Sequence, residues 1–283
     1  MTKLDRRLHA CRPDLADAAL KGRVEAERFV TPRLMQVVEP VLSVHAAPRF
    51  DAMQVTQALM GETVKLFDEQ EGWAFVQLEA DGYVGYVNGN ALSADVRRPT
   101  HRVAVPSTFI YPEPNLKTQP ATPVTLNAQL HVTGENGPFS QIADGRFLFT
   151  AHLSRANAFA ADFVSVAEMF RHVPYYWGGK SAHGLDCSGL VQLALEACGT
   201  RALRDTDMQE GTLGHALLVN DLDGLKRGDL VFWKGHVGIM TNGETLLHAN
   251  GHHMMVVAEP LKQAVERIAA SYGQVTSIRR LSV

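Results

Sequence analysis

Residues 174–190 read Pro-Tyr-Tyr-Trp-Gly-Gly-Lys-Ser-Ala-His-Gly-Leu-Asp-Cys-Ser-Gly-Leu. A glycine-punctuated loop runs into Asp186-Cys187-Ser188-Gly189. An unbroken helical stretch, Leu190 to Ala197, follows, and Cys198-Gly199 closes it. Asp186 is a favoured N-cap type, and Gly199 stands where a C-cap glycine belongs. The pattern therefore predicts a helix with Cys187 in its first turn. Free N–H groups and the dipole at a helix start favour a thiolate over a thiol, and the thiolate is the nucleophile of covalent cysteine catalysis. A lone cysteine is more often buried packing, but Asp, Ser and Gly flank this one in place of apolar residues. Cys198, in the last turn of the same helix, and Cys11, in a polar segment, read as bystanders.

A cysteine nucleophile needs a histidine base, and the base needs a group that fixes its tautomer. The chain has 12 histidines, so placement must decide. Residues 228–249, Gly-Asp-Leu-Val-Phe-Trp-Lys-Gly-His-Val-Gly-Ile-Met-Thr-Asn-Gly-Glu-Thr-Leu-Leu-His-Ala, predict two strands, His236–Met240 and Thr245–Ala249, joined around Asn242-Gly243. A three-residue loop sets Ile239 opposite Leu247 and Val237 opposite Ala249, giving one apolar face. His236, Gly238 and His248 then share the other. A two-residue loop would mix histidine and aliphatic residues on each side, which burial of one face penalises. The first register brings His236 and His248 within cross-strand reach, as base and orienting residue. His248, His252 and His253 lack the ligand set of a zinc site, and neither metal nor cofactor is expected.

Outward from this region the chain changes character. Residues 1–35 are a polar, Arg-rich leader with a short helical pattern of Leu15, Leu20 and Val24, expected to pack against a neighbour. From 36 to 97, short apolar runs (Val37-Val38, Val41–Val44, Val64–Phe67, Trp73–Leu78, Tyr83–Val87, Leu92) alternate with turn glycines, as in a small β-barrel or sandwich. Residues 98–154 repeat this plan. Pro48 lines up with Pro114, Leu66 with Val132, Trp73 with Phe139 and Val76 with Ile142, all at an offset of 66, and Tyr86 with Phe149 at 63. Phe159, Phe163, Val166, Ala167 and Phe170 recur at helical spacing and predict an amphipathic helix over 155–172. Mixed α and β follow, so 155–283 is read as an α+β domain.

The 283 residues carry 27 Lys plus Arg against 30 Asp plus Glu, a net charge of −3, which argues against a nucleic-acid partner. Three cysteines argue against a disulfide framework. The N-terminus, MTKLDRRLHACRPDLADAAL, has no apolar leader of the secretory kind, and no apolar run reaches membrane-span length. The expectation is a cytoplasmic protein with reduced thiols and no membrane partner.

At the quoted residues the chain resembles the NlpC-type family of bacterial cell-wall cysteine peptidases, which are papain-like. The shared features are Pro174-Tyr175, Trp177-Gly178-Gly179, Asp186-Cys187-Ser188-Gly189, Gly228-Asp229-Leu230-Val231-Phe232, His236-Val237-Gly238-Ile239 and His248. The resemblance implies Cys187 as nucleophile, His236 as base and His248 as orienting residue. Two SH3-like β-barrels ahead of a papain-like domain look like the subgroup that cleaves γ-D-glutamyl–diamino acid bonds of peptidoglycan stem peptides bearing a free N-terminal L-Ala. On that resemblance, Asp186, Ser188 and Tyr175 contact the amino end of the substrate. Tyr83 and Glu62 of the first β module would do so too, walling one end of the cleft. Tyr83 aligns with Arg146 in the second copy, so only the first could supply the ring. Asp205 and Thr206 match a substrate-side segment, or else form a helix N-cap.

Two other readings keep the same residues. A papain-like amidase or acyltransferase would retain the triad, and a non-catalytic wall-fragment binding protein would leave Cys187 inert. Preference between diaminopimelate and lysine, stem-peptide length and oligomeric state are open at this point.

Overall fold

The computed structural model describes residues 4–218 and 222–281. The chain folds as two units, 1–158 and 159–283. No helix among the described residues is long and apolar enough to cross a membrane.

In the first unit, Arg33–Val37, Val41–His45, Gln54–Leu59, Thr63–Gln70, Trp73–Leu78, Val84–Asn88 and Leu92–Ser93 build one seven-stranded antiparallel sheet. Gln54–Leu59 escaped the sequence reading because Gln54, Thr56 and Gln57 make it look like a loop, yet all three are buried. The second stretch, from His101–Val103 to Leu153–Arg155, follows a similar order with one strand more, Gln129–Leu130 and Val132–Asn136 standing where the first stretch has Thr63–Gln70. In both copies a 3-10 turn, Gly89–Ala91 or Thr150–His152, precedes the last strand. The second copy divides into sheets of three, two and three strands. The closed barrels anticipated from the sequence are not found: among the described residues every ladder ends on an open edge.

The second copy's core of Val103, Ile110, Val124, Ala128, Leu130, Ile142 and Leu148 also takes in Met60 from the first. The Met60 carbonyl accepts the Gln129 N–H at 2.7 Å. Gly61, next in line, has φ +82°, and a Cβ there would stand 2.0 Å from the Gln129 carbonyl oxygen. Only glycine fits this junction.

The leader corrects the expected short helix. Leu15–Asp17 is a strand paired in parallel with Arg28–Val30, followed by a 3-10 turn, Ala18–Leu20. Asp17 accepts the Ala19 N–H, and Gly22 in the left-handed region ends the turn. Leu15 packs with Ala10, Phe67 and Phe75, and Arg12 reaches Asp68 at 2.6 Å, so the neighbour of the leader is the first β-sheet.

The second unit is α+β. Its first helix, α1, spans only Phe163–Glu168 and not the expected 155–172. Asp162 caps it by accepting from Val164 and Ser165, while Leu153–Arg155 is already committed to a strand. Three further helices follow: α2 (Cys187–Ala197), α3 (Thr206–Thr212) and α4 (Leu261–Tyr272). A six-stranded antiparallel sheet orders His215–Leu217, Ser277–Arg280, Leu230–Trp233, His236–Met240, Thr245–Asn250 and Met255–Pro260.

The hairpin has the three-residue loop. Ile239 pairs with Leu247 and Met240 with Leu246, and Asn242 Oδ1 accepts the N–H groups of Glu244 and Thr245. One premise needs revision: the histidine face is buried as well. Met240 and Leu246 pack with Leu261, Ala264 and Ile268 of α4, and α2 packs against the same two strands. A Cβ on Gly238 would come 2.7 Å from Leu246, so this glycine makes room for the leucine across the ladder.

Candidate catalytic site

The local sequence builds the start of α2 as a rigid corner. Asp186 caps the helix by accepting the Gly189 N–H at 2.7 Å, and its other oxygen accepts the Gly178 N–H at 2.8 Å. A Cβ on Gly189 would collide with the Gly179 carbonyl, 2.1 Å away, which explains glycine after Cys187-Ser188. At the far end, Gly199 has φ +78°. The Gly199 and Thr200 N–H groups bond back to Glu196 and Leu195, the paired arrangement that stops a helix at a left-handed glycine.

Cys187 is thus the first residue of α2, 7% exposed. Its sulfur lies 3.8 Å from Thr206 Oγ1, the first residue of α3, and the Val237 backbone N–H is near enough to favour its thiolate. The nucleophile therefore sits against the strand one residue from His236. Burial pushes the thiol up to about 11, and the Asp186 charge adds to that. The Val237 N–H, the Thr206 hydroxyl and Arg204 pull the other way without prevailing. The lowered thiol pKa anticipated from the helix start is overridden by desolvation.

Alkylation of Cys187 should accordingly be slow at neutral pH and accelerate far above the ordinary thiol range, so slow labelling by itself does not mark a non-catalytic protein and turnover must separate the two readings. Peptide mass spectrometry after a timed iodoacetamide pulse can compare Cys187 with Cys11 and Cys198 in one digest. A midpoint below about 8.5 would show that the helix start outweighs burial.

His236 Nε2 lies 2.8 Å from His248 Nδ1, and His248 Nε2 lies 2.6 Å from Glu259 Oε1. Arg267 of α4 closes the chain with two bonds of 2.5 Å to the Glu259 carboxylate. Burial, followed by the charges of His248 and Arg267, lowers His236 to about 3. Burial also lowers His248, outweighing its bond to Glu259. For Glu259, burial works upward, but the hydrogen bonds from His248 and Arg267 prevail and hold it at about 2. At neutral pH the site thus holds a neutral thiol, two neutral imidazoles and one ionised carboxylate. Both ring nitrogens of His248 are engaged, so the ring has no nitrogen left for a metal.

The residues expected to contact substrate fall into two groups. Tyr175, Asp186, Ser188, Asp205 and Thr206 belong to the second unit. Tyr175 is close enough for the Cys187 charge to raise its pKa, after burial. Asp205 precedes α3 but makes no side-chain cap bond there. Asp186 is already partnered. Its two oxygens accept from Arg204, at 2.9 and 2.7 Å, and Arg204 also bonds Ser188 Oγ at 2.8 Å. Arg204 is 1% exposed and Asp186 8%, so the aspartate's charge is matched inside the protein.

Tyr83 and Glu62 belong to the first unit. Both are buried there, Glu62 accepting the Leu59 N–H at 3.1 Å and the Tyr83 N–H bonding Asp81. Glu62 is therefore not an ordinary exposed carboxylate.

Three residues were not assigned from sequence: Arg204, Glu259 and Arg267. Arg204 stands beside Asp205 in the sequence without a local signal of its own. Glu259 and Arg267 carried one weak signal, an acid on the strand after His248 followed by a base on the next helix.

A family model described as NlpC/P60 family matches residues 172–272, and one described as the bacterial dipeptidyl-peptidase Sh3 domain matches 44–92. A gamma-D-glutamyl-L-lysine dipeptidyl-peptidase of Bacillus subtilis (strain 168) is 30% identical over 222 residues, 69% of this chain and 71% of that protein. The dipeptidyl-peptidase 6 of Lysinibacillus sphaericus is 26% identical over 238 residues, 76% of this chain and 86% of that protein. In fold, the chain resembles the crystal structure of an NlpC/P60 family protein from Bacillus cereus ATCC 10987. The TM-score is 0.73 at 21% identity, over 88% of this chain and 99% of that one.

Proposed function

The chain belongs to the NlpC/P60 family, and from that membership and the site we propose that it cuts the γ-D-glutamyl–diamino acid bond of peptidoglycan stem peptides. Its substrates on this reading carry a free N-terminal L-Ala, and the product is the dipeptide L-Ala-γ-D-Glu. The observation that carries the reading is the 2.8 Å His236–His248 bond, with His236 next in the strand to Val237, whose backbone N–H acts on the Cys187 sulfur. The names of the relatives supply the bond.

The thiol starts protonated, so His236 takes its proton as sulfur attacks the γ-carbonyl. The Cys187 backbone N–H at the helix start faces the developing oxyanion. Collapse breaks the C–N bond, and the proton on His236 goes to the departing amine of the diamino acid. In the second half-reaction His236 takes a proton from water, hydroxide adds to the thioester, and the thiol leaves with that proton restored. Tyr175 and Thr206 lie close to the nucleophile, and together with Asp186, Ser188 and Asp205 are proposed to hold the amino end of the peptide.

On the same reading, 98–154 is a second SH3-like domain, supported by the similar element order. The three free thiols fit a reducing compartment, and we place the enzyme in the cytoplasm, acting on recycled wall peptides.

A mass-spectrometric digest of L-Ala-γ-D-Glu-meso-diaminopimelate, its L-Lys counterpart and their N-acetylated forms tests this. Dipeptide should appear only from the free-amine peptides. Equal cleavage of the acetylated forms would replace the proposal with a papain-like amidase.

A further inference from the structure

Beyond the triad, His248 itself has a partner. Glu259 stands on the Met255–Pro260 strand, two residues past Val257, which pairs with His248. Its carboxylate meets His248 Nε2 at 2.6 Å and is gripped from α4 by both terminal nitrogens of Arg267. We propose that Glu259 and Arg267 are positioning residues that set the direction of the hydrogen bonds in the relay and so leave His236 able to accept the Cys187 proton. This rests on the cysteine-peptidase reading above.

The argument is one of donors and acceptors. An ionised carboxylate only accepts, so His248 must carry its proton on Nε2. A neutral imidazole has one N–H, so His248 Nδ1 is then bare. The 2.8 Å gap to His236 Nε2 can be filled only if His236 donates there. His236 is neutral as well, so its Nδ1 is bare, and that is the nitrogen left for the thiol. Each ring passes the same polarity to the next.

Arg267 has a separate effect. A carboxylate with no counter-charge would favour an imidazolium at His248. Both nitrogens of His248 would then donate, His236 would have to accept at Nε2, and its proton would move to Nδ1, where it blocks the thiol. The charged and titratable groups around His248 are His236, His253, Glu259 and Arg267. Of these, Arg267 is the one that holds the carboxylate's charge in check.

The test reads tautomers directly, without substrate. Long-range proton–nitrogen spectra of the full-length protein labelled in histidine, assigned with His236→Ala and His248→Ala, should show both rings as neutral Nε2–H forms at pH 7. Glu259→Gln can offer either its oxygen or its amide, so the spectrum should show His248 no longer held in one form. Its kcat should fall between about 10- and 100-fold with KM little changed. Arg267→Met should move the acid limb of the rate profile to higher pH by about one unit, with activity returning as His248 loses its extra proton. Adding Arg267→Met to Glu259→Gln should produce no further upward shift. An Nδ1–H form of His248 in the wild type would overturn the proposal, as would Glu259→Gln with unchanged spectrum and kcat. If the family peptides were not cleaved but the tautomers were as stated, the substrate reading alone would fall.

Discussion

Cys187→Ala should abolish hydrolysis while substrate still binds. Removing the nucleophile leaves no route to the thioester, and nucleophile deletions in enzymes of this type reduce kcat on the order of 10⁶-fold. The side chain lost is small and 7% exposed. The start of α2 is held by Asp186, Gly189 and Arg204 and not by the sulfur, so the fold should be retained. A single-turnover digest checks the chemistry, and calorimetric titration of the same variant with a free-amine tripeptide checks binding. Turnover within about tenfold of wild type would remove Cys187 from the mechanism. Lost binding together with lost turnover would instead place the residue in substrate affinity.

Arg204→Met should cause the largest loss of stability. Arg204 and Asp186 are both buried and joined by two hydrogen bonds. Removing one partner leaves a buried carboxylate unpaired, which costs about 3–5 kcal/mol. The same change withdraws the donor from Ser188 Oγ, so the loop, the helix cap and the residue after the nucleophile would all loosen. Asp186→Asn with Arg204→Met removes both charges while keeping a residue able to cap α2, and should be less damaging than the arginine change alone. Urea unfolding of the four proteins in the cycle isolates the coupling. A single Arg204→Met variant within about 0.5 kcal/mol of wild type would mean that water reaches Asp186 and that the corner is not as closed as it looks.

What could be read in advance followed the range of the forces involved. The start and stop of α2 depend on Asp186, Gly189 and Gly199, each acting within a few residues, and the sequence shows them. The hairpin register was legible because side-chain alternation over Val237–Ile239 and Leu247–Ala249 admits one solution. It was reached on the premise of a single buried face, whereas α4 buries the histidine face too; the register holds because the loop length fixes it. The partners of Asp186 and His248 were not legible. Arg204 lies 18 residues from Asp186, and Arg267 meets Glu259 only because a strand turns into α4. Pairings of that kind are made by the fold and leave no periodic trace. The predicted helix over 155–172 failed for a related reason: Phe159 keeps the helical spacing, but it packs over Gly199 from an extended segment before the Asp162 cap.

The close approach of Gly61 to the Gln129 carbonyl ties two stretches of sheet together at one point. Met60 lies in the core of 101–155, and a methyl group on Gly61 would stand 2.0 Å from the Gln129 carbonyl oxygen. A side chain placed at this single position would therefore be felt in both stretches at once, although it belongs to only one of them.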